Sequence, residues 1–197
     1  MSEQLAREVR DFWLDPGRLK QSANYGAQQV RERFGALLEQ AAAGELSAWT
    51  MSPRRSLSLI ILLDQFSRII HQGSPRAYAC DGQALATTLA GFESGADAAL
   101  SLTERLYFCM PLQRAESLPV QEESLVMFER LAREASGAER RLAASALRTA
   151  KDSHRIIARF GRFPRRNRVL GRVTTPEEHA WLLARHSSTR AGAGRGD

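Results

Sequence analysis

The chain has 197 residues, enough for one domain with a sizeable core and short for two. Its 43% apolar and 25% charged content is that of an ordinary folded protein and excludes wholesale disorder or a fibrous repeat. The net charge of +6 is unevenly spread: residues 1–139 carry 14 basic and 18 acidic groups, residues 140–172 carry 11 and 1, and residues 173–197 balance. Of the 28 basic residues 26 are arginine. A GC-rich genome accounts for a preference for arginine over lysine, but not for its clustering.

The first ten residues mix Glu3 and Glu8 with Arg7 and Arg10 and lack the apolar stretch of a secretory signal. The longest apolar run, Leu57 to Leu63, is interrupted by Ser58 and ends at Asp64, far short of the roughly 20 residues that span a bilayer. No membrane association and a cytoplasmic location are therefore expected. Cys80 and Cys109 have neither disulfide-framework nor zinc spacing and are expected to be buried thiols.

Apolar residues recur at intervals of three and four almost throughout, which predicts an all-α fold. Leu5, Val9 and Phe12 mark a first helix, stopped by Asp15-Pro16-Gly17, and a second runs from about Tyr25 to Ala43 before Gly44. Ser52-Pro53 opens a helix reaching Ile70, and Ser74-Pro75 repeats that start for a helix towards Gly91. A short helix begins at Ser101 and breaks at Pro111; another begins near Pro119 and ends at Ser136-Gly137. A long helix runs from Ala138 to Phe160, closed by Gly161. Thr175-Pro176-Glu177-Glu178 is a capping box that starts a last helix through Trp181 to Arg185. Short connections imply antiparallel helical hairpins, about eight helices in one domain over 1–186, with a disordered tail over 187–197.

The helix from Pro53 to Ile70 is apolar on nearly every side and is expected in the middle of the domain. Asp64 and Arg68, four apart, would then lie partly or wholly out of water, either as a structural ion pair or as a ligand-facing acid and base. His154 follows Ala143, Leu147 and Ala150 in helical spacing and is placed on an inward face, as a core histidine or a proton-transfer group. After it come Arg159, Gly161, Arg162, Phe163, Pro164, Arg165, Arg166, Asn167, Gly171 and Arg172, a turn-rich and ordered basic connection. Guanidinium groups there can hold carboxylate or phosphate in a bidentate manner, or pair with the acidic first two-thirds of the chain. Glu116 and Gln121 flank the helix start near Pro119. No Walker loop, GxGxxG, HExxH, GxSxG or zinc spacing occurs, so neither cofactor nor metal is expected.

Asp11-Phe12-Trp13, Leu62-Leu63-Asp64-Gln65-Phe66 with Arg68, and Gly73-Ser74-Pro75-Arg76-Ala77 with Asp81 together resemble the bacterial family of domain of unknown function 924. So do Pro111 with Glu116 and Gln121, His154 through Arg159-Phe160-Gly161-Arg162-Phe163-Pro164 with Arg166-Asn167, Leu170-Gly171-Arg172, and Thr175 with Glu177 and Glu178. The resemblance extends to about Leu183. It implies a tetratricopeptide-like α-α superhelix and no particular activity. Its motif residues here are Asp64, Gln65, Arg68, Arg76, Asp81, Glu116, Gln121, His154, Arg159, Arg162, Arg166, Asn167 and Arg172, expected to converge on one groove. The chain departs from the pattern at Ser67-Arg68-Ile69, at Arg114-Ala115-Glu116 and at Arg165, the latter two where histidines are usual, and at Ser22, Ala23, Gly26 and Ala27.

Three functions follow as expectations. The first is a binding module whose groove holds a small anionic ligand or an acidic peptide through Arg68, Arg76, Gln121, Arg159, Arg162, Arg166, Asn167 and Arg172. The second is an enzyme using His154 with Glu116 or Asp64 as acid and base. The third is RNA or single-stranded nucleic-acid binding through residues 140–172, with Phe160 and Phe163 as stacking groups.

Overall fold

The computed structural model describes residues 2–15 and 27–193, with side chains for 3–15 and 27–185. Those residues form α1 (Ser2–Leu14), α2 (Ala27–Ala42) and α3 (Pro53–Ile60). From α3 the chain passes without a break through a π-helical segment, Ile61–Phe66, into α4 (Ser67–Ile70). Then come α5 (Asp81–Glu93), α6 (Leu102–Phe108), α7 (Met110–Arg114), α8 (Leu118–Glu134), α9 (Glu139–Phe160) and α10 (Pro176–Ala193). Counting the rods over 53–70 and 102–114 as one each, the described residues make eight helices and no strand.

Every residue from Ser56 to Ser67 is buried, as an all-round apolar helix requires. This rod packs on α1, α2 and α5 and forms the axis of a first core. Phe66 is the hub of its aromatic part, with ring centroids 4.8 Å from Phe34, 5.9 Å from Phe12 and 5.7 Å from Trp13. Two polar ties hold the rod in place: Ser58 Oγ donates to the Ala6 carbonyl at 2.6 Å, and Arg31 donates to the Ile70 carbonyl at the end of α4, also at 2.6 Å.

A second core lies between α8, α9 and the kinked rod α6–α7, around Leu106, Leu112, Phe128 and Leu131. The inward face of α9 is Ala143, Ala146, Ala150, Ser153 and Ile157, and its small side chains let it lie close along α8. The two helices are joined by residues 135–138 and form an antiparallel hairpin. Phe92 packs against both cores.

Several boundaries differ from the sequence expectations. The rod over 53–70 is not one α-helix: Ser67 N–H reaches five residues back to the Leu62 carbonyl. The apolar pattern carries no mark of this widened turn, because every face of the rod is buried anyway. Ser52 makes no side-chain cap; Ser56 Oγ instead bonds the Thr50 carbonyl. Ser74-Pro75 opens only a 3-10 turn, Pro75–Tyr78, before α5 begins at Asp81. Pro111 does not end a helix but sits in the first turn of α7, after a kink at Cys109. The α10 backbone continues to Ala193, past the expected end at Arg185. Of the expected tail, residues 194–197 lie outside the described residues, as do Pro16, Gly17, Ser22, Ala23, Tyr25 and Gly26.

Among the described glycines, Gly91 is the one where a side chain from another element leaves no room for a Cβ. A Cβ there would lie 2.3 Å from Cζ of the buried Phe108 ring, far inside van der Waals contact. Gly91→Ala is expected to destabilise the fold by about 1–3 kcal/mol through overpacking. Phe108→Leu in the Gly91→Ala background should recover part of that loss. Urea denaturation of the two variants checks this, and equal stability of Gly91→Ala and wild type would refute the close-packing account.

Candidate functional site

The π-helical turn Ile61–Phe66 carries a carboxylate, Asp64, inside the buried rod. Asp64 is 1% exposed, and its Oδ1 lies 3.0 Å from Arg114 Nε and 3.6 Å from Arg68 Nε. Its Oδ2 accepts from Gln65 Nε2. Neither arginine contact has hydrogen-bond geometry, so Asp64 Oδ1 and Arg68 Nε are held by charge alone. Taking such ions out of water costs several kcal/mol each unless opposite charge offsets it. π-Helical turns recur at functional sites for the same reason that makes them costly: they turn side chains out of the regular pattern.

The pairing continues outward. Arg68 Nη2 bonds Asp81 Oδ1 at 2.6 Å, and Arg166 Nη1 bonds Asp81 Oδ2 at 3.0 Å. Arg166 also donates to the Arg114 carbonyl at 2.9 Å. The Tyr78 ring lies between the Arg68 and Arg166 guanidinium groups, 4.9 Å from each, and Arg166 is 4.5 Å from the Phe163 ring. Three guanidinium groups, from α4, α7 and the 3-10 turn Pro164–Arg166, therefore share two carboxylates. Burial pushes the Asp81 carboxyl up despite Arg68 and Arg166, and it pushes Arg114 and Arg166 down despite Asp64 and Asp81.

This cluster forms one end of a cleft of about 560 Å³. Its floor is α9, through Leu142, Ser145, Ala146, Thr149, Ser153 and Ile156. Its opposite wall carries Arg68, Tyr78, Met110, Gln113 and Arg114, and its rim carries Phe163, Arg165, Arg166, Trp181 and Arg185. Arg165 is exposed and has no carboxylate partner among the described residues; its guanidinium lies 6.0 Å from the Trp181 ring. Asp152, the one carboxylate on the lining, is bonded to Arg155 at 2.6 Å. Tyr78, Arg114 and Arg166 also border a second pocket of about 410 Å³ that holds Asp81, Glu116 and Arg172.

The other residues singled out from sequence take structural positions. Glu116 accepts from Arg172 Nη1 through both oxygens, at 2.9 and 2.8 Å, and from the Phe163 backbone at 2.9 Å. Arg162 holds Glu178 at 2.7 and 2.9 Å, and Glu178 also takes the Asn167 amide at 3.1 Å and Thr175 N–H at 2.8 Å. Arg159 pairs with Glu177 at 2.9 Å. The bonds of Glu178 and Glu177 latch α10 onto the 161–175 connection and the end of α9, and those of Glu116 fasten that connection to the turn between α7 and α8. Fully buried Gln121 donates to the Leu112 and Ala115 carbonyls, bracing the turn between α7 and α8. Arg76 is exposed and pairs with Glu39.

The expected single groove is thus split. Arg68 and Arg166 line the large cleft, Glu116 and Arg172 the adjoining pocket, and Arg76, Gln121, Arg159, Arg162 and Asn167 neither. His154 is half-buried, beside the inward face and not at its centre, which Ser153 occupies. Among the described residues it has no hydrogen bond or carboxylate partner, so the acid–base set of His154 with Glu116 or Asp64 is not assembled. The expected stacking rings are also engaged: Phe160 meets Trp181 at 5.5 Å, and Phe163 lies against Arg166. Sequence reasoning passed over Tyr78, Gln113, Arg114, Arg165, Trp181 and the row of small hydroxyls on α9. Of these, Arg114 and Arg165 had a signal, as charged replacements at positions where histidine was expected.

The Glu178 carboxyl is held at about 2, chiefly by the bonds from Arg162, with Thr175 and Asn167 adding to them. Its folded value lies below the ordinary 4.5, so the latch contributes stability above pH 4.5 and loses it as pH falls towards 2. Glu178→Gln is expected to cost about 1.5–3 kcal/mol at neutral pH, the worth of hydrogen bonds to a charged group. The gap between wild type and variant in urea denaturation should narrow steadily below pH 4.5. A gap that stays constant down to pH 3 would contradict the assignment.

Among the described residues no group of three or more His, Cys, Asp and Glu is placed to hold a metal ion. Among curated proteins none matches the chain. A solved structure, that of the protein of unknown function ATU0120 from Agrobacterium tumefaciens, is 32% identical, with a TM-score of 0.78 over 92% of this chain and 98% of that one. The family described as bacterial protein of unknown function (DUF924) matches residues 9–185. A match over nearly the whole chain, with a shared fold over the same length, means that this protein belongs to the DUF924 family.

Proposed function

We propose that this protein is a small-anion-binding module whose ligand sits in the cleft between the Arg68–Arg114–Arg166 cluster and α9. The observation that carries the reading is Arg114. Its guanidinium is about three-quarters buried and lines the cleft, yet it makes no hydrogen bond among the described residues beyond its charge contact with Asp64. A guanidinium has five donors, and those of Arg114 are not sealed off, so they stand open to an acceptor in the cleft. An anion in the cleft would supply the missing acceptors. The volume of about 560 Å³ is that of a small-molecule site and falls short of the long track an acidic peptide would need.

The α8–α9 hairpin favours the tetratricopeptide-like view of the architecture, with the cleft on its inner side. No described helix is long and apolar enough to cross a membrane. Cys80 and Cys109 are buried free thiols, which fits the reducing cytoplasm as the working compartment.

A ligand at about a hundred times its Kd adds about 2.7 kcal/mol to folding stability. For a chain of this size that is a rise of several degrees in Tm. Phosphate, sulfate and citrate, screened by thermal melting, should raise Tm in the wild type. The rise, measured against each variant's own unliganded Tm, should shrink in Arg114→Met and vanish in Arg114→Met with Arg166→Met. No rise with any anion, or an undiminished rise in the double variant, would sink the proposal.

A further inference from the structure

The cleft also carries information about the class of anion, an inference that rests on the anion-binding reading just given. We infer that the cleft takes a phosphate monoester borne on an apolar body, the phosphate lying among Arg68, Arg114, Arg165 and Arg166. Charge is the first argument. Arg68, Arg114 and Arg166 share Asp64 and Asp81, leaving one positive charge over, and Arg165 adds a second without a carboxylate partner among the described residues. Asp152 is neutralised by Arg155. A surplus of at least two, before Arg185 on the rim is counted, accommodates a phosphate monoester, which carries about −1.5 to −2 at pH 7, and exceeds a single carboxylate.

Donor geometry is the second argument. A carboxylate presents two coplanar oxygens suited to a single guanidinium fork, whereas phosphate offers three oxygens spread in space. The guanidinium groups here come from three directions, α4, α7 and the 3-10 turn over Pro164–Arg166. Facing them, α9 sets Ser145, Thr149 and Ser153 at four-residue intervals along the cleft floor. Ser153 is 8% exposed, and its hydroxyl has no hydrogen bond among the described residues. Thr149 Oγ1 donates to the Ser145 carbonyl at 3.1 Å, so Ser145 and Ser153 are the hydroxyls suited to the oxygens the arginines leave unfilled.

Size and lining are the third. At about 560 Å³ the cleft is several times larger than a bare anion needs, and beyond the arginines its walls are Met110, Leu142, Ala146, Ile156 and Trp181. Inorganic phosphate would fill the charged end and leave this apolar part unused. A ring or short hydrocarbon joined to the phosphate would bury against it and gain from the area removed from water.

Calorimetric titration of the full chain with phenyl phosphate, inorganic phosphate, benzoate and phthalate tests this. Phenyl phosphate is expected to bind at least tenfold more tightly than the other three. Its affinity should fall below about pH 6, where the second phosphate proton returns, while melting without ligand stays unchanged over the same range. Arg165→Ala, at an exposed position, should weaken phenyl phosphate about tenfold without lowering the unliganded Tm. If phthalate or benzoate binds as tightly, or affinity is flat from pH 7 to pH 5, the phosphate assignment is overturned while anion binding stands. If inorganic phosphate binds as tightly as phenyl phosphate, the apolar body is overturned. If none of the four binds, the anion-binding reading itself fails.

Discussion

Asp64 is a carboxylate at the centre of an apolar rod, and its burial organises much of what surrounds it. A charge there is tolerable only if cations come to it, and two do: Arg68 from one turn further along and Arg114 from α7. Arg68 is in turn fastened to Asp81, and Asp81 to Arg166, which lies beyond α9 in sequence. The chain of pairs therefore joins α4, α5, α7 and the 3-10 turn over Pro164–Arg166 across both hydrophobic cores. Removing either carboxylate would leave buried or half-buried cations uncompensated, which is costlier than never having had the pair.

The same network explains why a cleft exists beside it. Buried apolar side chains would close the gap between α7 and α9, since cores pack to the density of organic crystals. Guanidinium groups resist this, because their remaining donors need water or an acceptor. Arg114 shows the conflict most clearly: burial lowers its affinity for its proton, Asp64 restores part of it, and its donors still lack hydrogen bonds among the described residues. The α9 face opposite is built of alanines and small hydroxyls, which allow close packing on α8 on one side and leave space on the other.

The carboxylates that meet the C-terminal connection do a different job. Glu178 gathers Arg162, Asn167 and Thr175 N–H, and Glu116 gathers Arg172 and Phe163 N–H. Each consumes an arginine that, by sequence, was as good a ligand-binding candidate as Arg166. The basic surplus of residues 140–172 is thus partly spent on holding α10 and the connection before it. What remains for a ligand is a smaller set, and it includes Arg114 and Arg165, which lie at departures from the family pattern.

Sequence alone determined the helices and the buried rod, because periodicity and all-round apolarity are local consequences of burial. It determined the capping box at Thr175, whose reciprocal bonds involve residues three apart. The charged segment from His154 to Arg172 was visible for the same reason. What sequence could not contain is which arginine meets which carboxylate, since Arg166 and Asp81 are 85 residues apart and Arg172 and Glu116 are 56 apart. Nor could it show the π turn at Ile61–Phe66, because inserting one residue into a rod buried on every face leaves its hydrophobic pattern unchanged. His154 shows the limit within a single helix: a shift of one position put Ser153, not the histidine, on the inward face. Tertiary packing decided these points, because pairing and helix rotation are set by what lies across the interface and not by neighbours along the chain.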